Sequence, residues 1–434
     1  MALTIALDLS LNKLIIPSPS IPYGAIPDNI LKSDCITARK ALDLDGLHDV
    51  DPSSDWGKRL LRRKERIWLA LFVLDRGVCL ARGRSFTVPV TPLIEICDRW
   101  HNSNLAEVWD TSITSSAVLR RDLAMLITDI KRTCDGDRAR VVGGSTMAQS
   151  LQSMIESFFD RWYATWTYNI EGSSQHHLPP YVDILVTHTR LSTYSSVINH
   201  PTAPVEVKQF FRAAGLSSSL NVMRAAVQGE KQLKSMPNNT AIMISFAACF
   251  ALYLTAAGSS MSLTPSIRRL IEETADVLER IGATPSHRKG TSALFGRHLR
   301  EVVRNSFCAP QAQSRHDARG QSQGSSIPVQ DMNVYGQEQQ QLLPPGHPNA
   351  FFQPLQFSAM SDYQIIEAIN NAGGELDTFS NFEAHDRTGL DWLDWFNLDP
   401  GHTMPRTSKW MAEEEEKEGR EKGIQGTSGF SANR

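Results

Sequence analysis

Over about the first 308 positions, apolar residues recur at i, i+3, i+4 and i+7, the spacing that keeps them on one face of a helix. Leu60, Leu61, Ile67, Trp68, Leu71, Phe72, Leu74, Val78 and Cys79 fall on such a face. They predict one long amphipathic helix from about Lys58 to Ala81, stopped by Gly83. The same spacing predicts helices over Thr111 to Thr133, Thr146 to Tyr168, Tyr181 to Ile198, Val205 to Val227, Ala241 to Ala257, Pro265 to Ile281 and Thr291 to Phe307. Thr264-Pro265 reads as an N-cap followed by proline at the first helical position, and Gly282 marks the far end. Met1 to Lys13 reads as a further helix. Val/Ile/Thr alternation at period two is scarce, so no sheet is expected. The fold class is all-α, with about eight to eleven helices.

Ala241 to Ala257 is apolar all round, and no charged residue stands between Lys234 and Arg268. That is near the length of a membrane span. Its alanines, Ser245, Thr255 and the lack of flanking Lys/Arg favour a buried core helix, and no membrane partner is expected.

The pattern changes after Cys308. Residues 309–360 are rich in Gln, Ser, Gly and Pro and lack the apolar area that offsets chain entropy, so they read as a disordered linker. Residues 361–400 are acidic and dotted with aromatics, and residues 401–434 form a charged tail around the run from Glu413 to Lys422. This leaves one helical domain, 1–308, and a tail. The 41% hydrophobic content of the 434 residues, low for a globular chain, agrees with that division.

The formal net charge of −3 does not indicate a globally basic nucleic-acid binder. Six cysteines without any C-x-x-C exclude a disulfide scaffold and disfavour a structural zinc site; most read as small buried hydrophobes. Asp49, Asp51, Ser53 and Asp55 open like a calcium loop, but Ser54 and Leu60 stand where glycine and an acid are needed. No phosphate-cradling loop, nucleophile elbow or H-E-x-x-H occurs, and Gly143-Gly144-Ser145 reads as a helix-entry turn. His176-His177 sits in a loop, and His188 falls within a helix. No catalytic or metal-ligating residue is assigned, and no enzyme is expected; a helical protein or enzyme that holds a ligand in its body, or a membrane-associated one, is the alternative.

Lys58 to Arg66 holds six basic residues in nine. Nuclear import and phosphate contact are open readings, but the apolar stripe continues through the run, which favours the solvated flank of an amphipathic helix. Asp75 lies four residues after Leu71 and four before Cys79, on or beside the buried stripe. A carboxylate there needs a cation. Arg66, Arg82 and Arg84 are the candidates, and the pair is expected to pin the turn after the helix.

Arg66-x-Trp68-x-x-Leu71-x-x-x-Asp75, followed by Cys79-Leu80-Ala81-Arg82-Gly83-Arg84, resembles the central signature of the fungal-specific transcription factor domain. This is the middle homology region of fungal zinc-cluster regulators. Ala38 to His48 (ARKALDLDGLH) is similar to an upstream element of the same domain. Ser85 stands where the family has proline, and Ala70 where a second tryptophan is common. The resemblance covers about 50 residues; over Pro89 to Phe307 it rests on helix count and the late apolar helix. It implies an all-α domain that regulates transcription by RNA polymerase II in a fungal nucleus.

Family members bind DNA through an N-terminal six-cysteine cluster holding two zincs, and no C-x2-C-x6-C is present here. The sequence therefore reads as N-terminally shortened. It carries no cofactor of its own, and it reaches DNA only through a missing module or a partner, including a dimer with related regulators.

The tail adds its own reading. Between Glu375 and Asp399, seven acids stand against the single Arg387, interleaved with Phe379, Phe382, Leu390, Leu393 and Leu398. Trp392, Trp395 and Phe396 fall at i, i+3 and i+4, so a short helix puts all three on one face. Such a segment reads as an activation segment that contacts a coactivator groove; docking onto its own body is the alternative. Tyr363 to Ile369 is expected to act with it.

Overall fold

The computed structural model of the chain describes residues 2–16, 30–82, 84–135, 143–171, 178–256, 263–285, 290–308 and 355–371. They belong to one unit, Met1–Ala384; a second unit, His385–Arg434, lies outside the described residues. The described fold is all-α. Its first elements are α1 (Ala2–Asp8), strand β1 (Leu14–Ile16), strand β2 (Cys35–Thr37) and α2 (Ala38–Asp43). α3 (Asp55–Arg82), the short α4 (Pro92–Glu95) and a 3-10 turn, Cys97–Asn102, lead to α5 (Asp110–Asp135). Then come α6 (Gly144–Glu171), α7 (Pro180–Ile198), α8 (Val205–Gln228), α9 (Asn238–Ala256), α10 (Thr264–Gly282) and α11 (Thr291–Cys308). The last is α12 (Asp362–Asn371).

Each of the eight helices expected from periodicity is present, with ends displaced by a few residues. A cap sets the start of α3. α3 begins before Lys58 because the Ser54 hydroxyl accepts from the Gly57 N–H at 3.0 Å, and Asp51 accepts from Ser53 in the turn before it. The acids and serines of the rejected calcium loop thus serve a turn and a cap. Thr264 is already helical in α10, and Leu263 holds the N-cap without a side-chain bond, contrary to the expected Thr264 cap. The expectation of no sheet also needs correction. β1 and β2 pair in parallel, Ile15 opposite Ile36. Three-residue strands are too short for alternation to show in the sequence.

α9 lies at the centre, against α3, α7, α8, α10 and α11. An all-round apolar helix is stable there because each face meets another helix. Of its apolar window Asn238–Thr255, 78% is buried within the protein. α10 and α11 pack closely because Gly296 has no side chain: a Cβ there would lie 2.6 Å from the Ala275 carbonyl oxygen. At the N-terminal end, Ile15, Ile36, Ala41, Leu42 and Leu61 form a smaller core that joins the strand pair and α2 to α3.

Residues 355–371, which composition assigned partly to the linker and partly to the acidic segment, pack on α8 and α10. Phe357, Ile365 and Ile369 are buried. The Leu355 N–H donates to Ser266 Oγ at 2.7 Å, Gln228 donates to the Ser358 carbonyl at 2.9 Å, and Arg224 donates to the Met360 carbonyl at 3.0 Å and pairs with Asp362. A capping box starts α12: the Ser361 N–H donates to Gln364 Oε1, and the Gln364 N–H to Ser361 Oγ. Tyr363 to Ile369 therefore turns Ile365 and Ile369 onto the body, while Ile366 stays exposed.

Candidate functional site

The signature residues of α3 point in several directions, and each has a defined neighbour. Trp68 is fully buried, and its indole N–H donates to Thr91 Oγ1 at 2.9 Å, which fixes the chain entering α4. Leu71 is half-buried beside the fully buried Phe72. Asp75 takes its cation from the adjacent Arg76 at 2.9 Å, whereas Arg66 reaches Asp110. Of the expected partners, Arg66 is therefore excluded. Arg66 lies more than two turns before Asp75 on the same helix and points to α5. The pinning role is present all the same: the Thr87 and Val88 N–H groups both donate to Asp75 Oδ2 at 3.1 Å, and the Thr87 hydroxyl also donates to the carboxylate. Arg76 lies between the rings of Phe72 and Phe86, 4.3 and 4.1 Å from their centroids, and donates to the Val88 carbonyl at 2.7 Å. Burial pushes its guanidinium below the usual arginine value. Arg84 is exposed, and its N–H donates to the Cys79 carbonyl. The Arg82 side chain and Gly83 lie outside the described residues, as do Trp392, Trp395, Phe396 and His176-His177.

The basic run is a solvated flank only in part. Arg62 and Lys64 are buried, while Arg59 and Arg63 are exposed. Arg62 donates to Asp110 Oδ2 through Nε at 3.0 Å and Nη2 at 2.7 Å, and lies over the Trp100 ring at 3.8 Å. Arg66 donates to the same carboxylate at 2.6 Å, and Trp100 donates to Glu65 at 2.9 Å. Burial raises the Asp110 carboxyl, but Arg66, the Glu107 N–H and Arg62 outweigh it and hold the group below its ordinary value. Lys64 bonds the Ala41 carbonyl and Asp45, tying α3 to the end of α2. The 38–48 stretch is thus tied to α3 two residues before Arg66. Arg62, Asp110 and Trp100 escaped sequence reasoning, because the partners stand 38 and 48 residues from Arg62; Arg76 escaped it although it adjoins Asp75.

The 3-10 turn that carries Trp100 also borders a groove of about 710 Å³ between α5 and α6. Its apolar lining includes Leu119, Leu126, Met154, Phe158, Trp162 and Trp166. Met125, 74% exposed, stands at its edge. His101 lies 4.9 Å from Trp166, and burial, then the Arg62 charge, lower its basicity. Asp98 and Asp122 on the rim are both paired with Arg121. The volume falls in the range of small-ligand pockets.

Among the described residues no group of three or more His, Cys, Asp or Glu gathers to hold a metal. The donor set of a six-cysteine zinc cluster has no counterpart there. Compared with protein-family models, with curated proteins and with solved structures, the chain finds no match in any of the three.

Proposed function

We propose that this chain is an RNA polymerase II transcription regulator related to the fungal zinc-cluster regulators, acting in the nucleus through protein contacts. The α3 signature carries the reading. Arg66, Trp68 and Asp75 recur at the family's spacing, and each ties α3 to the segment that follows it. The contact of Lys64 with Ala41 and Asp45 supports it, since it ties the helix that carries the signature to the other family-like stretch. The sequence contains no C-x2-C-x6-C, so DNA is reached through a separate module or a partner, and a dimer with related regulators is one route. The acidic tail contacts a coactivator through Trp392, Trp395 and Phe396. Because residues 355–371 are docked on the body, the contacting part begins beyond Asn371.

The test is a reporter assay on the full chain fused to a foreign DNA-binding domain. Activation is expected, and Trp392→Ala with Trp395→Ala and Phe396→Ala is expected to abolish it. No activation, or activation unaffected by the three substitutions, refutes the tail's role.

A further inference from the structure

A polar cluster lies inside the helical body where α5, α7 and α9 meet. Arg120 of α5 is 1% exposed. Its Nε and Nη1 have no hydrogen-bond partner, and Nη2 meets the Met243 thioether at 3.8 Å. His188 of α7 is fully buried with neither ring nitrogen bonded, and Phe246 of α9 closes one side edge-on at 5.2 Å. Tyr181, two turns before His188, lies near Arg120 and against Asn239. Asn239, Met243 and Phe246 recur at i, i+4 and i+7, so one stripe of α9 faces the Tyr181–His188 stripe of α7 while Arg120 reaches in from α5. The nearby charged group is a second guanidinium, Arg76 of α3, rather than a carboxylate.

Buried charges in proteins are paired or coordinated, because an isolated one is strongly destabilising. A thioether sulfur is a weak acceptor and carries no charge to neutralise the guanidinium. Burial pushes Arg120 down to about 10, which still leaves it protonated at neutral pH. Burial, and then Arg120 itself, hold the His188 imidazole well below its usual value, so it stays neutral and keeps one N–H to donate. The cluster therefore offers one full positive charge and several donors, and among the described residues no negative group receives them.

We propose that this cluster binds one small monovalent anion, a halide or a short carboxylate, between the Arg120 guanidinium and a His188 N–H. The sign of the charge excludes cations, and the enclosing Phe246 and helix walls exclude bulky anions. Met243 supplies the movable wall: its unbranched chain is the group now against Arg120, and its rotation uncovers the guanidinium. The site is independent of the transcriptional reading, since it lies in the body and uses no signature or tail residue.

The test is thermal unfolding of the full chain at pH 7.5 and constant ionic strength, with sodium gluconate, too large for the site, replaced stepwise by chloride or by formate. The wild-type midpoint should rise with the probe and follow single-site binding. Arg120→Met should remove that response, weakening apparent affinity at least about tenfold through loss of a charge-assisted bond. Response to chloride alone identifies a halide site, and response to formate identifies a carboxylate site. If Arg120→Met does not fold, His188→Phe serves as the weakened variant. A flat wild-type curve for both probes overturns the proposal, as does an equal rise in the variants.

Discussion

Replacing Asp110 by alanine removes the carboxylate that Arg62 and Arg66 share. Five hydrogen bonds end on this carboxylate, at 3.0 and 2.7 Å from Arg62, 2.6 and 3.1 Å from Arg66, and 3.0 Å from the Glu107 N–H. Summing them as independent bonds would overstate the loss, because Arg66, with a side chain 19% exposed, can turn to Glu107 and water. Arg62, at 1% exposure, cannot turn to water, and the Trp100 carbonyl that also accepts from it carries no charge. The relevant quantity is the cost of leaving one buried guanidinium without its counter-charge, about 3–5 kcal/mol. At roughly 2 °C per kcal/mol for a body of this size, the midpoint should fall by about 6–10 °C. Circular dichroism at 222 nm during heating, with urea unfolding beside it, measures the effect. Arg63→Ala, on the exposed side of α3, should stay within about 0.5 kcal/mol of wild type. The double variant Arg62→Met with Asp110→Ala should recover a large part of the loss, because no buried charge is then stranded. The reasoning is refuted if Asp110→Ala costs under about 1 kcal/mol, or if the double variant is no more stable than the single one.

The same carboxylate predicts a pH dependence. Its folded pKa lies below the ordinary value, so its stabilisation is complete above about pH 4 and is lost as pH falls through the lowered value. The stability gap between wild type and Asp110→Asn should stay flat from pH 8 to 5 and narrow below 4; a gap that widens on acidification contradicts the sign. Ile365→Asp with Ile369→Asp should release residues 355–371 while the body stays folded, because α12 packs mainly on α8, at the edge of the body. Limited proteolysis should then cut within that segment first, with a midpoint shift below about 2 °C; unchanged protection of the segment would contradict this.

How much was legible in the sequence follows the range of the forces. The apolar spacing of α3, α5 and α10 could be read directly, because a helix repeats its neighbours every few residues. The need of Asp75 for partners was legible too, since its position relative to the stripe is local. Its actual partners were not: the chain folds back to bring Thr87 and Val88 to the carboxylate, and Arg76 is held by rings from positions 72 and 86. The groove between α5 and α6 depends on helix packing and leaves no periodic trace.

By itself, the sequence determined the helical class, the length and order of the main helices, and the break in composition after Cys308, all consequences of local periodicity and of how much apolar area each stretch carries. Only the tertiary structure decided which polar side chains are buried and with whom. Arg62 and Arg63 are adjacent and chemically identical, yet one is sealed against Asp110 and Trp100 while the other faces water. That difference depends on what α5 and the turn before it bring alongside α3. Residues 355–371 teach the same lesson in reverse. A few apolar positions in a polar stretch look insufficient for folding until α8 and α10 supply the surface that covers them.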